Sequence, residues 1–405
     1  MTKPDSPARP RNGAITVALV IVCQAFQATS IAGIALFLPL IREDLEMSFS
    51  QGGMLSAAAT LTYALGQIPA GYLADRFGPK RLFFIGLLGS ALLSLHFGMI
   101  HSFEMAMANQ LVSGVFRALL FAPGLVLIAS WFPPNRRATA MGLYVVGSFA
   151  GNILLSLVGP FLVSRYDWRF PFLLFAGIGI GTALLYLALG REKTATGPRH
   201  HVGMLDAFQL FRHRIMWVCG ALQFIRFGAV TSFGFWLPSL LVADRGMSIQ
   251  GAGLVVALGA ACTALSNPLG GYVSDRLKNP PLVIGVALAV LACTSSLLVL
   301  VPSLPLVVLV VAINSVFLQF YFGPLFYVPV EVLGQRVAGI STGFSNLFAN
   351  VGGLIFAYAL GVVKDKAGAF TWGFYGLSIA CAIGVVFAVV LARMRKRMLA
   401  GREET

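Results

Sequence analysis

Residues Gly71 to Arg81 read GYLADRFGPKR, and residues Gly271 to Lys278 read GYVSDRLK. Both stretches end a long apolar segment, carry an Asp-Arg pair four residues after their first glycine, and precede a further apolar segment. The same pattern of charged residues recurring after a long interval indicates internal duplication, here of two halves. The sequence therefore predicts a protein built from two related parts.

The composition excludes an ordinary soluble domain. Hydrophobic residues make up 58% of the chain, charged residues 11%, and the mean hydropathy is +0.83. A helix needs about 20 apolar residues to cross a hydrocarbon core of ~30 Å. Twelve segments of this kind predict an all-α multispanning membrane protein: residues 14–40, 52–74, 82–100, 105–131, 138–164, 170–190, 214–242, 250–273, 281–301, 305–330, 338–363 and 370–392.

The net charge of +14 is explained by membrane topology. With the N-terminus inside, 21 of the 29 Lys and Arg residues fall in cytoplasmic tails and loops, and six fall outside. Cytoplasmic loops of membrane proteins are enriched in Lys and Arg, so this asymmetry predicts that both termini are cytoplasmic. It also argues against a nucleic-acid partner. We expect a multi-pass protein of a lipid bilayer, the bacterial inner membrane.

The tryptophans and cysteines give weaker signals. Each tryptophan lies near the end of a predicted span, which is typical of membrane-interface anchors: Trp131, Trp168, Trp217, Trp236 and Trp372. Each cysteine lies inside an apolar segment without C-x-x-C spacing, which predicts a small packing residue: Cys23, Cys219, Cys262, Cys293 and Cys381.

The first copy of the repeated motif, G-x-x-x-D-R-x-G-x-K-R, resembles the loop between helices 2 and 3 of the major facilitator superfamily of secondary transporters. Twelve apolar segments with a polar break after the sixth also fit that family. The resemblance implies the major facilitator fold, two pseudo-symmetric six-helix bundles. The second copy departs from the motif, because Lys278 stands where the first copy has Gly78.

The polar break divides the chain. We predict a cytoplasmic tail (1–13), an N-terminal bundle (14–190), a cytoplasmic linker (191–213), a C-terminal bundle (214–392) and a second tail (393–405). The linker contains His200, His201 and His213, but no Cys, Asp or Glu lies at ligand spacing. A solvated basic loop is therefore expected there, with no metal and no cofactor.

The resemblance also implies a role for the repeated loop in conformational gating. In the family, the aspartate lies near the N-terminus of helix 11, and basic residues keep the cytoplasmic side closed. A carboxylate at a helix N-terminus gains roughly 0.3 to 1 kcal/mol, which can bias two conformations of similar energy. The alternative is that these residues only mark topology. The gating candidates are Gly71, Asp75, Arg76, Gly78, Lys80, Asp275 and Arg276.

No catalytic pattern is present. The chain lacks a nucleophile elbow, paired carboxylates at membrane depth, a P-loop and metal-spaced clusters. Residues 131–152, WFPPNRRATAMGLYVVGSFAGN, resemble the corresponding region of the anion-handling branches, namely the monocarboxylate, oxalate/formate and anion:cation symporter families. Gly159-Pro160 lacks the glycine spacing typical of drug antiporters. A membrane enzyme and a non-transporting sensor are the weaker alternatives.

Two arginines are not explained by topology. Arg117 and Arg226 each lie 12 residues from the start of a predicted span, or about 18 Å at 1.5 Å per residue. An arginine at mid-membrane costs ~2.5 to 3.5 kcal/mol, so such residues are usually functional. We expect both to bind a carboxylate bidentately, one from each bundle. The alternative is pairing with helix carbonyls or a carboxylate near a helix end.

Further polar residues of the spans complete the candidate substrate site: Gln24, Gln223, Gln319 and Tyr327. For Gln24, hydrogen bonding between helices is the alternative. Together these residues predict a monomeric secondary active transporter of a small organic anion, a carboxylate, working by alternating access. Proton symport is the expected coupling, and Glu331 is either a proton carrier or a solvated helix end. Anion/anion exchange and proton-coupled export of drugs or lipophilic metabolites are the alternatives.

Overall fold

The structure is a computed structural model that describes residues 10–132, 137–191, 212–334 and 338–403. Within these ranges the regular structure is helical, and no strand is present. The helices are α1 (Pro10–Asp44), α2 (Phe49–Phe77), α3 (Pro79–Phe97), α4 (Phe103–Ser130), α5 (Arg137–Arg165), α6 (Arg169–Leu189), α7 (Arg214–Ser239, followed by a π-helical turn, Leu240–Asp244), α8 (Ile249–Leu277), α9 (Pro280–Leu300), α10a (Leu304–Leu318), α10b (Phe322–Leu333), α11 (Ala338–Ala367) and α12 (Thr371–Glu403).

The helices match the twelve predicted spans. In the described part of the chain, ten helical spans are long and apolar enough to cross a membrane, with α10a and α10b forming one of them. Helices α2 and α4, of 29 and 28 residues, account for the other two spans. The predicted all-α multispanning fold is thus confirmed. The largest boundary difference is at α12, which continues to Glu403 past the predicted end at 392, because the Ala, Arg, Lys, Met and Leu residues there favour helix.

The repeated motif has a residue with positive φ at the same position in both copies, although ψ differs, at 143° for Gly78 and 24° for Lys278. Gly78 precedes α3 with φ of 85°, and Lys278 follows α8 with φ of 52°. This left-handed region is unstrained for glycine but costs other residues roughly 1–2 kcal/mol. The second copy therefore keeps a positive φ at this position, although it has lost the glycine that adopts such a φ without strain.

Contacts between Cα atoms divide the chain into two compact units. One comprises Met1–Ile34 and Leu61–Pro198, and the other comprises Ala35–Thr60 and Arg199–Thr405. Helices α1 and α2 therefore each contribute residues to both units. The predicted bundle boundaries, 14–190 and 214–392, remain a prediction.

In the first unit, α1 and α5 pack closely because of glycine. A Cβ atom added to Gly147 would lie 2.7 Å from the Ile21 carbonyl oxygen, and one on Gly151 would overlap the carbonyl of Ala25. Small residues at such contacts let membrane helices approach closely. Beside them, the buried ring of Phe83 lies 5.3 Å from that of Tyr186.

In the second unit, the main helix pair is α7 with α11. Gly352 of α11 lies against the backbone of Phe224 in α7, with no space for a Cβ atom. Further along, the Trp236 indole donates to the Ala357 carbonyl oxygen at 2.9 Å. Trp236 is fully buried, so it is a packing residue of this helix pair and the prediction of an interface anchor was wrong for it.

The turn between α1 and α2 is fastened to the end of α11 within the second unit. The Asp365 carboxylate accepts from the backbone N–H groups of Phe49 at 2.8 Å and Ser50 at 2.6 Å. Gly53 and Gly361 allow the two helices to touch: added Cβ atoms would lie 2.6 Å from the Ala357 oxygen and 2.5 Å from the Phe49 oxygen, respectively. We call this contact of Phe49, Ser50 and Gly53 with Gly361 and Asp365 the clasp.

Candidate functional site

Arg226 is a buried cation held by two amide side chains. Its Nε donates to the Gln223 side-chain oxygen at 2.7 Å, and its Nη1 donates to the Gln319 side-chain oxygen at 2.9 Å. Its side chain lies near the middle of α7 and is 3% exposed. The Phe322 ring lies with its centroid 4.9 Å from the Arg226 Cζ. The guanidinium is therefore fixed on two edges, and its plane faces an aromatic ring.

Local helix geometry positions these groups. Gln223 and Arg226 are three residues apart on α7, which places them on one face. Gln319 and Phe322 flank a break in the tenth span, between the end of α10a at Leu318 and the start of α10b at Phe322. Gln223, Gln319 and Arg226 were all predicted from the sequence to bind substrate, and the structure brings these three together.

The Arg226 site carries an uncompensated positive charge. Among the described residues, no Asp or Glu lies within ion-pair distance of Arg226, and its Nη2 atom has no hydrogen-bond partner. Burying a cation without a counter-ion is costly, and neutral amides offset only part of that cost. The arrangement can therefore accept an anion, whose charge would complete the site.

Arg117 has a different environment in the first unit. It lies near the middle of α4, is partly exposed, and its Cζ lies 5.8 Å from the centroid of the Tyr63 ring. The Tyr63 hydroxyl forms a hydrogen bond with the Gln67 side chain on the same helix, α2. Within the described part of the chain, Arg117 makes no hydrogen bond or ion pair. Its guanidinium is thus free to bind a ligand.

Two predicted substrate residues have other contacts. Gln24 of α1 donates to the Ser148 hydroxyl of α5 at 2.7 Å, the interhelical bond that was the alternative for this residue, while its side-chain oxygen has no partner among the described residues. Tyr327 is 50% exposed and interacts with the charge of Arg395. The structure does not bring Tyr327 to the Arg226 group.

Glu331 belongs to an ion pair near the end of α10b. Both of its carboxylate oxygens accept from Arg395 of α12, at 2.6 Å each. A bidentate pair of this kind stabilises the ionised form of the carboxylate. This contact disfavours proton transfer by Glu331, and it also differs from the solvated helix end that was the alternative, because the carboxylate is ion-paired and half-buried.

The gating candidates are only partly described. Arg76, Asp275 and Arg276 are exposed, and Lys80 is half-buried. The surroundings of Gly71 and the side chain of Asp75 lie outside what the structure describes, as do His200 and His201. Among the described residues, no group of three His, Cys, Asp or Glu side chains is arranged to hold a metal ion.

Comparison with known proteins identifies the family. The model of the Major Facilitator Superfamily matches residues 20–357 of this chain. The chain belongs to the Major Facilitator Superfamily. It is accordingly a secondary transporter and not an enzyme, as the sequence predicted.

Two relatives within the Major Facilitator Superfamily are similar over most of their length. The hexuronate transporter of Bacillus subtilis is 24% identical over 375 residues, covering 86% of this chain and 88% of the relative. A probable galactarate/D-glucarate transporter of Escherichia coli is 25% identical over 398 residues, covering 85% and 86%. The predicted resemblance to anion-handling branches of the superfamily is confirmed.

A solved structure of a Major Facilitator Superfamily protein has the same fold. The bacterial homolog of the human lysosomal transporter Spinster, in an inward-facing and unoccupied conformation, has a TM-score of 0.76. It is 21% identical, and the match covers 98% of both chains. At this identity the likeness establishes the fold and nothing about the substrate.

Sequence reasoning missed several residues of these sites. Tyr63 and Gln67 were not predicted, because nothing in the sequence of helix α2 indicates that Tyr63 faces Arg117. Tyr321 and Phe322 were not placed in the candidate site, although residues 319–324, QFYFGP, contain a Gly and a Pro that interrupt an apolar span. Such interruptions in a membrane helix indicate a binding site.

Proposed function

We propose that this protein carries a small organic anion, a hydroxylated carboxylate, across the membrane by alternating access. The observation that carries the proposal is the buried Arg226 guanidinium, held by Gln223 and Gln319 without a carboxylate partner among the described residues. Arginine keeps its charge through a transport cycle and matches a carboxylate bidentately. Relatives that are named for hexuronate and for galactarate/D-glucarate support this class of substrate.

The second arginine extends the proposal. Arg117 has no hydrogen bond or ion pair among the described residues and lies near the middle of α4, so it is available to a second group of the substrate. That Arg117 and Arg226 hold one anion together remains a prediction from the sequence. Gln24 and Tyr327 remain candidates for more distant parts of the substrate.

Proton symport is the proposed coupling. Glu331 is paired with Arg395, so we do not assign it as the proton carrier. The proton would then travel with the substrate. Anion/anion exchange is the second candidate, and it is favoured by the lack of an Asp or Glu paired with Arg226 among the described residues. Export of lipophilic cations is disfavoured, because the site is itself cationic.

The proposed gate and the proposed membrane orientation rest on the distribution of charged residues along the sequence. We propose an inner-membrane monomer with both termini cytoplasmic. Its repeated loops would act as the cytoplasmic gate: Gly71, Asp75, Arg76, Gly78 and Lys80 in the first copy, and Asp275 and Arg276 in the second. With this orientation, the clasp lies at the outside end of the molecule.

Uptake into proteoliposomes tests the function. The purified protein is reconstituted, and uptake of labelled D-glucarate, D-glucuronate and lactate is measured with and without an inward proton gradient. Symport predicts accumulation that a protonophore abolishes, whereas exchange predicts uptake only into vesicles preloaded with anion. Protein-free liposomes serve as the control. If no organic anion enters under either condition, the proposed function is wrong.

A further inference from the structure

The tenth span is broken where it meets Arg226. Residues 319–321 form a turn between α10a and α10b. Here the backbone N–H of Phe320 bonds the Phe317 oxygen at 3.3 Å, and that of Phe322 bonds the Gln319 oxygen at 3.1 Å. Pro324 has no N–H, so it cannot continue the α-helical ladder to the Phe320 oxygen.

Helix α8 satisfies the carbonyl groups that the break releases. The Ser266 hydroxyl donates to the Val316 oxygen, and the Thr263 hydroxyl is shared between the Ser315 oxygen at 3.1 Å and the Gly259 oxygen of its own helix at 2.9 Å. Gly270 lies directly against the Phe320 carbonyl, where an added Cβ atom would overlap the oxygen. Non-helical backbone at membrane depth is tolerated when neighbouring helices satisfy it. The break is thus a built feature supported by three positions of one helix.

The break brings polar groups to Arg226 that a continuous helix would carry past it. Gln319 accepts from the Arg226 guanidinium, and Tyr321 lies two residues further on in the same turn. Tyr321 is fully buried, yet its hydroxyl has no hydrogen-bond partner among the described residues. The Gln223 side-chain nitrogen is likewise buried and without a partner in that part of the chain.

Unpaired buried polar groups are rare and expensive. Each costs roughly 1–3 kcal/mol, and native structures contain few of them. Here two occur beside the same uncompensated cation. A ligand that presents a carboxylate to Arg226 and an adjacent hydroxyl to Tyr321 would satisfy them together.

We propose that Tyr321 is a specificity-determining residue that hydrogen-bonds a hydroxyl group of the transported anion, and that Ser266 is a positioning residue that holds the break in place. The proposal rests on the proposed function. A site built to bond a hydroxyl discriminates strongly against the analogue that lacks it, because the protein group then remains unpaired.

Binding to the purified full-length protein tests the role of Tyr321. The probes are D-glucarate and D-gluconate, compared with adipate and hexanoate, which have the same carbon and carboxylate numbers but no hydroxyls. Tyr321→Phe should weaken binding of the hydroxylated probes about tenfold, or about 1.4 kcal/mol, and leave the deoxy probes unchanged. The matched control is Tyr144→Phe, which removes a buried hydroxyl bonded to the Leu120 oxygen in the first unit.

Ser266→Ala tests the positioning role. It should raise the dissociation constant for all bound probes by a similar factor, because it displaces Gln319 and Arg226 and touches no substrate. Its control is Ser295→Ala, which removes a buried hydroxyl whose one hydrogen bond among the described residues is within its own helix, to the Leu291 oxygen. Equal binding by Ser266→Ala and the wild type would remove Ser266 from the proposal.

The two failures are distinguishable. In the first case, the wild type binds organic anions, and Tyr321→Phe binds the hydroxylated and the deoxy probes as tightly as the wild type does. This result overturns the assignment of Tyr321 and leaves the proposed function intact. A wild type that prefers the deoxy probes also overturns it. A wild type that binds none of the four probes and takes up no organic anion overturns the proposed function and this proposal with it.

Discussion

The Asp365 carboxylate accepts a hydrogen bond from the backbone N–H of Phe49 at 2.8 Å, although 316 residues separate them in sequence. An acidic side chain at the start of a helix pairs with unbonded N–H groups and with the positive end of the helix dipole. The Arg42 guanidinium lies 3.3 Å from the centroid of the Phe49 ring on the same turn. The first helical hairpin is thereby tied to α11.

Asp365→Asn should weaken the clasp. It removes the charge that two N–H groups now share, a loss of about 1 kcal/mol for a helix cap. The thermal midpoint should fall, and the transport rate should change because states with an open clasp become more populated. Glu104→Gln is the control, since Glu104 is an exposed acid in the first turn of α4. If both variants behave alike in stability and rate, the clasp has no special role.

Arg226→Lys should reduce uptake at least about tenfold, or about 1.4 kcal/mol, although the charge is retained. A lysine cannot donate to Gln223, Gln319 and a carboxylate in the fixed planar geometry of a guanidinium. Arg117→Lys should cause a similar loss of uptake, with a smaller effect on stability because Arg117 has no hydrogen bonds to lose among the described residues.

Uptake and thermal midpoints of both lysine variants are compared with those of Arg165→Lys, a change at an exposed arginine. An arginine whose lysine variant transports the anion at wild-type rate and affinity is structural.

Asp75→Asn should slow or abolish transport while affecting expression and substrate affinity less. The substitution changes the balance between conformations and removes no ligand contact. Initial rates in proteoliposomes and equilibrium binding of the same substrate separate the two effects. An unchanged turnover rate would count against a gating role for Asp75.

Lys278→Gly should stabilise the protein by up to about 1 kcal/mol, because glycine removes the strain of a positive φ. Part of this stabilisation is offset, because glycine also raises the conformational entropy of the unfolded chain. Gly78→Ala should have the opposite effect, since Gly78 has φ of 85°. Thermal midpoints in one detergent should therefore rank Lys278→Gly above the wild type and Gly78→Ala below it. The reverse order would mean that these turns relax without strain.

Both termini should be cytoplasmic, because 21 of the 29 basic residues lie on the predicted inner side and such residues set orientation. Two reporters are fused after Arg397, one that works only in the cytoplasm and one that works only outside the membrane. The first should give a signal, and the second should give none. Activity of the second reporter would refute the topology.

The sequence by itself determined the membrane-spanning fold. Span length, apolar composition and the repeated GYLADRFGPKR motif are local features of the chain, and the bilayer imposes helices wherever such segments occur. For the same reason, Arg226 and Arg117 could be predicted to be functional, since the cost of an arginine at mid-membrane follows from its position alone.

Only the tertiary structure decided which side chains meet. Gln24 was predicted for the substrate and bonds Ser148, Trp236 was predicted as an anchor and is buried, and Glu331 is paired with Arg395. Tyr321 joins the Arg226 group because α8 supports a break in the tenth span. In an all-apolar span the hydrophobic pattern marks no inner face, so the partner of each polar group depends on how the helices pack.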